Sequence, residues 1–278
     1  MARWAVFAGV TALVLFLLLA LAHASQSTID DSTASTIDAA SRRRTDPALR
    51  DDSTNPESNG GTTESVKGPS VRPDGAVRSG SLSAGALLAN VALSQGLFAI
   101  VLVAGAWYAE IPPAALGVSA APSSTGLVAL GVGIAVGLGL YFVNELGALG
   151  ANAAGIETPD ALRELLTPDS RSGWVILLVG VLPTIAAFEE LLFRAALVGA
   201  LAAGFPVSPW LLAALSSVAF ALGHGAQGTV GMVATGGLGF VLAGVFVLTG
   251  SLLVVVVAHY LVNALEFVVH EGLGVEVA

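Results

Sequence analysis

The sequence predicts an all-α fold: a polytopic integral membrane helical bundle of about seven transmembrane helices, with a disordered polar linker after the first. Three observations predict it. Of 278 residues, 55% are hydrophobic and only 11% are charged, whereas soluble domains carry about 25% charged residues. Mean hydropathy is +0.82. The apolar residues also gather into runs of about twenty, the length a helix needs to cross the hydrocarbon core.

The same composition excludes several classes of function. The chain contains no cysteine, which rules out a disulfide framework, a thiolate metal site and a Cys nucleophile. Net charge is −9 and Lys67 is the single lysine. A basic footprint for nucleic acid is absent, and nucleic acid is not an expected partner.

Residues 1–24 form the first element, with an apolar run from Ala5 to Ala22 behind Arg3 and Trp4. Ala22-His23-Ala24 and Arg3 fit a cleaved signal peptide, but the run exceeds the usual h-region and is long enough to span. An uncleaved first helix is therefore expected. Residues 25–81, rich in Ser, Thr, Asp, Gly and Pro, lack the apolar surface that offsets ordering entropy and are expected to be disordered. Residues 82–278 form the membrane domain, with helices expected at about 82–108, 126–148, 173–200, 207–223, 229–248 and 251–270. Trp4, Trp107 with Tyr108, Trp174 and Trp210 fall near helix ends, as in an aromatic belt at the headgroups. Arginines of the linker, with Arg163 and Arg171, favour a cytoplasmic side for those loops. The protein is expected in the cell membrane as a multi-pass protein with the bilayer as its surroundings.

Glycines mark two spans. Gly133 and Gly137 make a small-xxx-small face for close helix contact, and Gly236, Gly237, Gly239 and Gly244 read as packing positions in another. Thr158, Pro159 and Asp160 form an N-cap signal for a short interfacial helix ending at Pro168. Glu145 reads as a helix-end group, and Glu266 with His270 as an exposed pair.

The chemistry lies in Phe188-Glu189-Glu190-Leu191-Leu192-Phe193-Arg194. A charged residue at the centre of a membrane helix costs about 2.5–3.5 kcal/mol on insertion scales. Glu190 and Arg194 are four apart and can pair on one face, while Glu189 sits about 100° round the helix from Glu190. Glu189 is thus left to act as a general base. Phe220 and His224 share one helix face, and His224 can orient a water. His259 and Asn263 share another and offer donors to a developing oxyanion. Base, orienter and oxyanion donors make a water-activating hydrolase site. Pro183, six residues before Glu189, is expected to disturb the helix near it.

Glu-Glu-x-x-x-Arg (Glu189, Glu190, Arg194), Phe-x-x-x-His (Phe220, His224) and His-x-x-x-Asn (His259, Asn263), in this order on successive apolar helices, resemble the CAAX-protease and bacteriocin-processing family of intramembrane proteases. Its members include the type-2 CAAX prenyl endopeptidases. The likeness covers roughly residues 125–270. It implies an intramembrane endopeptidase in which Glu189 and His224 activate water, His259 and Asn263 stabilise the oxyanion, and Glu190, Arg194 and Phe220 support them. It also implies a peptide or protein substrate arriving from the membrane or its interface. No cofactor is expected. The alternative is a metallo-type site with Zn²⁺ held by Glu189, His224 and His259. An alternative function on the same fold is a non-proteolytic membrane scaffold or immunity-type interaction protein.

Overall fold

A computed structural model describes residues 1–45, 84–156 and 161–275. Among the described residues, eight helices of six residues or more follow in chain order: α1 (Trp4–Thr45), α2 (Ala84–Tyr108), α3 (Leu127–Ala153), α4 (Ala161–Leu166), α5 (Arg171–Gly204), α6 (Pro209–Gly223), α7 (Gly228–Thr249) and α8 (Leu252–Gly272). No strand occurs among the described residues. The chain divides into two compact units, one formed by Met1–Gln26 with Leu82–Ala278 and the other by Ser27–Ser81.

Six helices among the described residues are long and apolar enough to cross a membrane, which makes this a multi-pass membrane protein. The remaining expected span, the fifth in chain order and here α6, has 15 residues, about 22 Å of helix against a hydrocarbon core of about 30 Å. Helix α1 continues to Thr45, well into the stretch expected to lack structure. No proline or glycine interrupts the chain between Gly9 and Thr45, so local sequence does not stop it. The rest of that stretch, and the Thr158-Pro159-Asp160 cap signal, lie outside the described residues.

The helix ends have local causes. Ser170 Oγ accepts from the Gly173 N–H to cap α5. Gly250, with φ +61°, closes α7 in the left-handed conformation, and Ser251 Oγ accepts from the Val254 N–H to open α8. The Ser251 hydroxyl also donates to the Ser124 carbonyl at 2.6 Å, which ties this turn to the connection before α3. At the other end of α1, Arg3 and the Met1 amine bind Glu110 at 3.3 and 3.1 Å and hold its carboxyl below its ordinary value.

Helix α5 is the most buried of the six long spans and forms the axis of the bundle. Phe7 of α1 packs with Ala106 of α2 and Ala196 and Ala200 of α5. Val14, Leu102, Phe188, Leu192, Phe193 and Phe220 form the central cluster. Gly133 and Gly137 bring α3 against α8: an added Cβ would lie 2.9 Å from the Val254 carbonyl oxygen at the first and 2.9 Å from Leu261 Cβ at the second. Spacing alone marks that face.

Candidate active site

The carboxylates sit on a short α-helical segment between two π-helical ones. Ile176–Val181 is π-helical, Leu182–Glu190 is α-helical, and Leu191–Ala200 is π-helical again. Pro183 has no N–H for the preceding turn, which accounts for a disturbance at that point. The effect is to set Glu189 and Glu190 on a stretch whose rotation differs from the helix on either side.

Arg194 Nη1 donates to Glu190 Oε1 at 2.7 Å, and Nη2 donates to the Gly239 carbonyl at 3.0 Å. The guanidinium also lies over the Phe220 ring, 4.6 Å from its centroid. Gly239 permits this approach, since a Cβ there would come within 2.9 Å of Phe220 and 3.4 Å of Arg194. The role of Gly239 is invisible in the sequence because its carbonyl, common to every residue, is the group used. Arg194 and Glu190 are 1% and 0% exposed. Replacing such a pair with apolar groups is often tolerated, but removing one partner strands a buried charge.

His259 joins the two carboxylates. Its Nδ1–H donates to Glu190 Oε1 at 2.7 Å, while Nε2 faces Glu189 Oε2 at 3.7 Å. The rotation between Glu189 and Glu190 is therefore spanned by one imidazole ring, reached from opposite edges. The 3.7 Å gap exceeds a direct hydrogen bond. Glu189 and His259 are 7% and 3% exposed.

His224 is the C-cap of α6. The last carbonyls of a helix lack backbone donors, and the His224 Nδ1–H serves one of them, donating to Phe220 O at 2.8 Å. That bond fixes the tautomer and leaves Nε2 as the ring's acceptor when neutral. Phe220 is the common neighbour: its ring lies 4.5 Å from that of His224 and 6.0 Å from that of His259. Asn263 follows one turn after His259 on α8 and is partly buried. The structure thus gathers Arg194, His224 and His259 around the Phe220 ring and joins Glu190 and Glu189 to them through His259. Asn263 stands beside them on α8 without a hydrogen bond to any of them.

A metal would need Glu189, His224 and His259 to present ligand atoms to one point. Among the described residues the set that gathers such atoms within 4.8 Å is Glu145, Glu266 and His270. His259 Nδ1 is engaged with Glu190.

That other cluster corrects the sequence reading. Glu266 and His270 are not an exposed pair, and Glu145 is not a simple end group. Asn144 donates to Glu266 at 2.6 Å, Arg163 of α4 donates to Glu266 at 3.2 Å and to Glu271 at 2.8 Å, and His270 Nε2 lies 2.8 Å from Glu145. The partners lie on other helices, which sequence spacing does not reveal.

Residues 171–265 match the family model described as Type II CAAX prenyl endopeptidase Rce1-like. This segment runs from the start of α5 through most of α8 and contains all three motifs. The family of this model is the one that the three motifs resemble. No curated protein and no solved structure matches the chain.

Proposed function

We propose that this chain, with its Rce1-like segment at residues 171–265, is an intramembrane endopeptidase of the cell membrane that hydrolyses a peptide bond with water activated by Glu189. The observation that carries the reading is the 3.7 Å approach of Glu189 Oε2 to His259 Nε2, with Glu190 holding the ring from its other side. The family description names CAAX prenyl substrates, and a peptide with a prenylated C-terminal Cys-aliphatic-aliphatic-X tail is the first substrate class to try.

In the proposed reaction, Glu189 accepts a proton from a water as its oxygen attacks the scissile carbonyl carbon. His224 Nε2 accepts a hydrogen bond from the same water and orients it. Glu189, Glu190 and Arg194 together carry one net negative charge, and a proton on His259 Nε2 brings the cluster to neutrality in a medium where an unmatched charge is costly. That N–H and the Asn263 amide donate to the oxyanion as it forms. Glu189 then returns its proton to the leaving amine as the C–N bond breaks, giving one amine and one carboxylic acid, which keeps the water's second proton until it ionises in bulk water. Glu190 and Arg194 are positioning residues, and Phe220 keeps the two imidazoles apart. No metal takes part.

The test is made in cells, because the substrate is the hidden quantity. Peptide termini from membrane and secreted fractions are compared between wild type and Glu189→Gln, with both proteins at equal levels in the membrane. A set of new termini present only in wild type is expected. Identical sets would support the non-proteolytic scaffold instead. Purified protein that keeps its turnover after exhaustive chelation is the expected outcome of the metal test, and loss restored by Zn²⁺ would reverse that assignment.

A further inference from the structure

We infer that Gln95, on α2, is a substrate-orienting residue of the same site, its Oε1 accepting a hydrogen bond from a backbone N–H of the bound peptide. The inference rests on the hydrolytic reading above and extends it to a helix outside the three motifs.

Helix α2 packs with Leu88, Ala92, Ala99, Leu102 and Ala106, which belong to the buried clusters or pack against them. These positions follow a repeating four-and-three spacing, and the position they skip is 95. Gln95 is the one polar side chain on that stripe. Its Oε1 is buried and has no hydrogen-bond partner. An unpaired carbonyl oxygen in a membrane interior is costly, and an apolar residue would fill the stripe without that cost. The amide is better explained by a partner that arrives.

The level of Gln95 along the bundle points to which partner. Helices α2 and α5 run side by side in the same direction: Leu88 clusters with Leu177 and Val181, Leu102 with Leu192, and Ala106 with Ala196. The neighbours of Gln95 make the register local. A Cβ on Gly96 would lie 3.9 Å from Thr184 Cγ2, and Phe98 stacks on Phe188 at 5.9 Å. Gln95 therefore sits beside the α5 segment that ends in Phe188 and Glu189. A cleft of about 520 Å³ between α2 and α5 runs from Pro168 and Ser170 past Leu88 and Gly180 to Ala92 and Thr184. Its inner end is one turn from Gln95. The cleft stops short of the buried oxygen, so in this inference a peptide reaching from it towards Glu189 parts α2 from α5 beyond Thr184 and meets Gln95 there. Its backbone N–H groups have no water to bond there.

The probe is a fluorescent peptide ending in a farnesylated Cys-aliphatic-aliphatic-X tail, with analogues in which single backbone N–H groups away from the scissile bond are replaced by ester oxygen. Binding is measured by anisotropy to full-length Glu189→Gln protein in nanodiscs, with and without Gln95→Met. Gln95→Met is expected to weaken binding of the all-amide peptide about three- to tenfold, the range of one neutral hydrogen bond. One ester analogue should lose the same factor when Gln95 is present and nothing further when the Gln95→Met substitution is added. The thermal midpoint should stay level or rise, because a merely structural amide would lower it. Equal affinities in the two proteins, absent binding, or a falling midpoint with no ester-specific effect would overturn the assignment. Turnover by the Glu189→Gln protein would instead remove the hydrolytic reading, so the two failures are told apart.

Discussion

His259 and His270 lie three turns apart on α8, each within 2.8 Å of a glutamate carboxylate from another helix, yet their surroundings differ. Around His259 everything is buried, and polar capacity is left over: Glu190 Oε2 and Arg194 Nε have no partner, and Glu189 stands 3.7 Å from the ring. Around His270 the groups are partly exposed and close on one another. Its Nδ1–H donates to the Val275 carbonyl, so Nε2 and Glu145 hold a proton between them, while Arg163 spans Glu266 and Glu271. The first cluster retains polar capacity in a dry place, which suits chemistry. The second is a clamp that fastens α4 and α3 to the end of α8. Residue types and helical spacing are nearly the same in both; burial and the unspent hydrogen-bonding capacity separate them.

The comparison can be broken most forcefully at Arg194. Arg194→Ala leaves Glu190 charged and buried without its partner and should cost about 3–5 kcal/mol, read as loss of folded protein in detergent. Next comes the surface that seats α8 under both clusters. Gly137→Ala should cost about 1–3 kcal/mol by forcing α3 from α8, whereas Gly139→Ala, with nothing within 4 Å of the added Cβ, should be neutral or slightly stabilising in a thermal melt. The smallest effect is expected in the clamp. Arg163→Ala should cost about 1 kcal/mol or less, because its ion pairs are partly exposed, and should leave kcat unchanged.

Some of this is legible in the sequence, and the rest is hidden for physical reasons. The helices can be placed because apolar runs and their breakers are local, and Gly133 with Gly137 because close packing needs small residues at one-turn spacing. The Glu190–Arg194 pair is readable for the same reason. The Glu190–His259 bond joins residues 69 positions apart, and no local pattern encodes it. Arg163 reads only as a loop charge, since its partners are more than 100 residues away. Gly239 acts through its carbonyl and Gln95 through a position in a packing stripe, so neither carries a motif. His224 looks like a member of a helix face and is a C-cap whose ring bonds its own helix.

The most direct measurement is turnover of a cleaved peptide by purified Glu189→Gln and Glu145→Gln proteins, side by side with wild type in nanodiscs. Glu189→Gln is expected to lose turnover by about 10²–10⁴-fold, the usual worth of a general base, with an unchanged thermal midpoint. Glu145→Gln is expected to keep wild-type turnover and to melt slightly lower. Undiminished turnover by Glu189→Gln would overturn the assignment of Glu189 as the base, as would loss of turnover confined to Glu145→Gln.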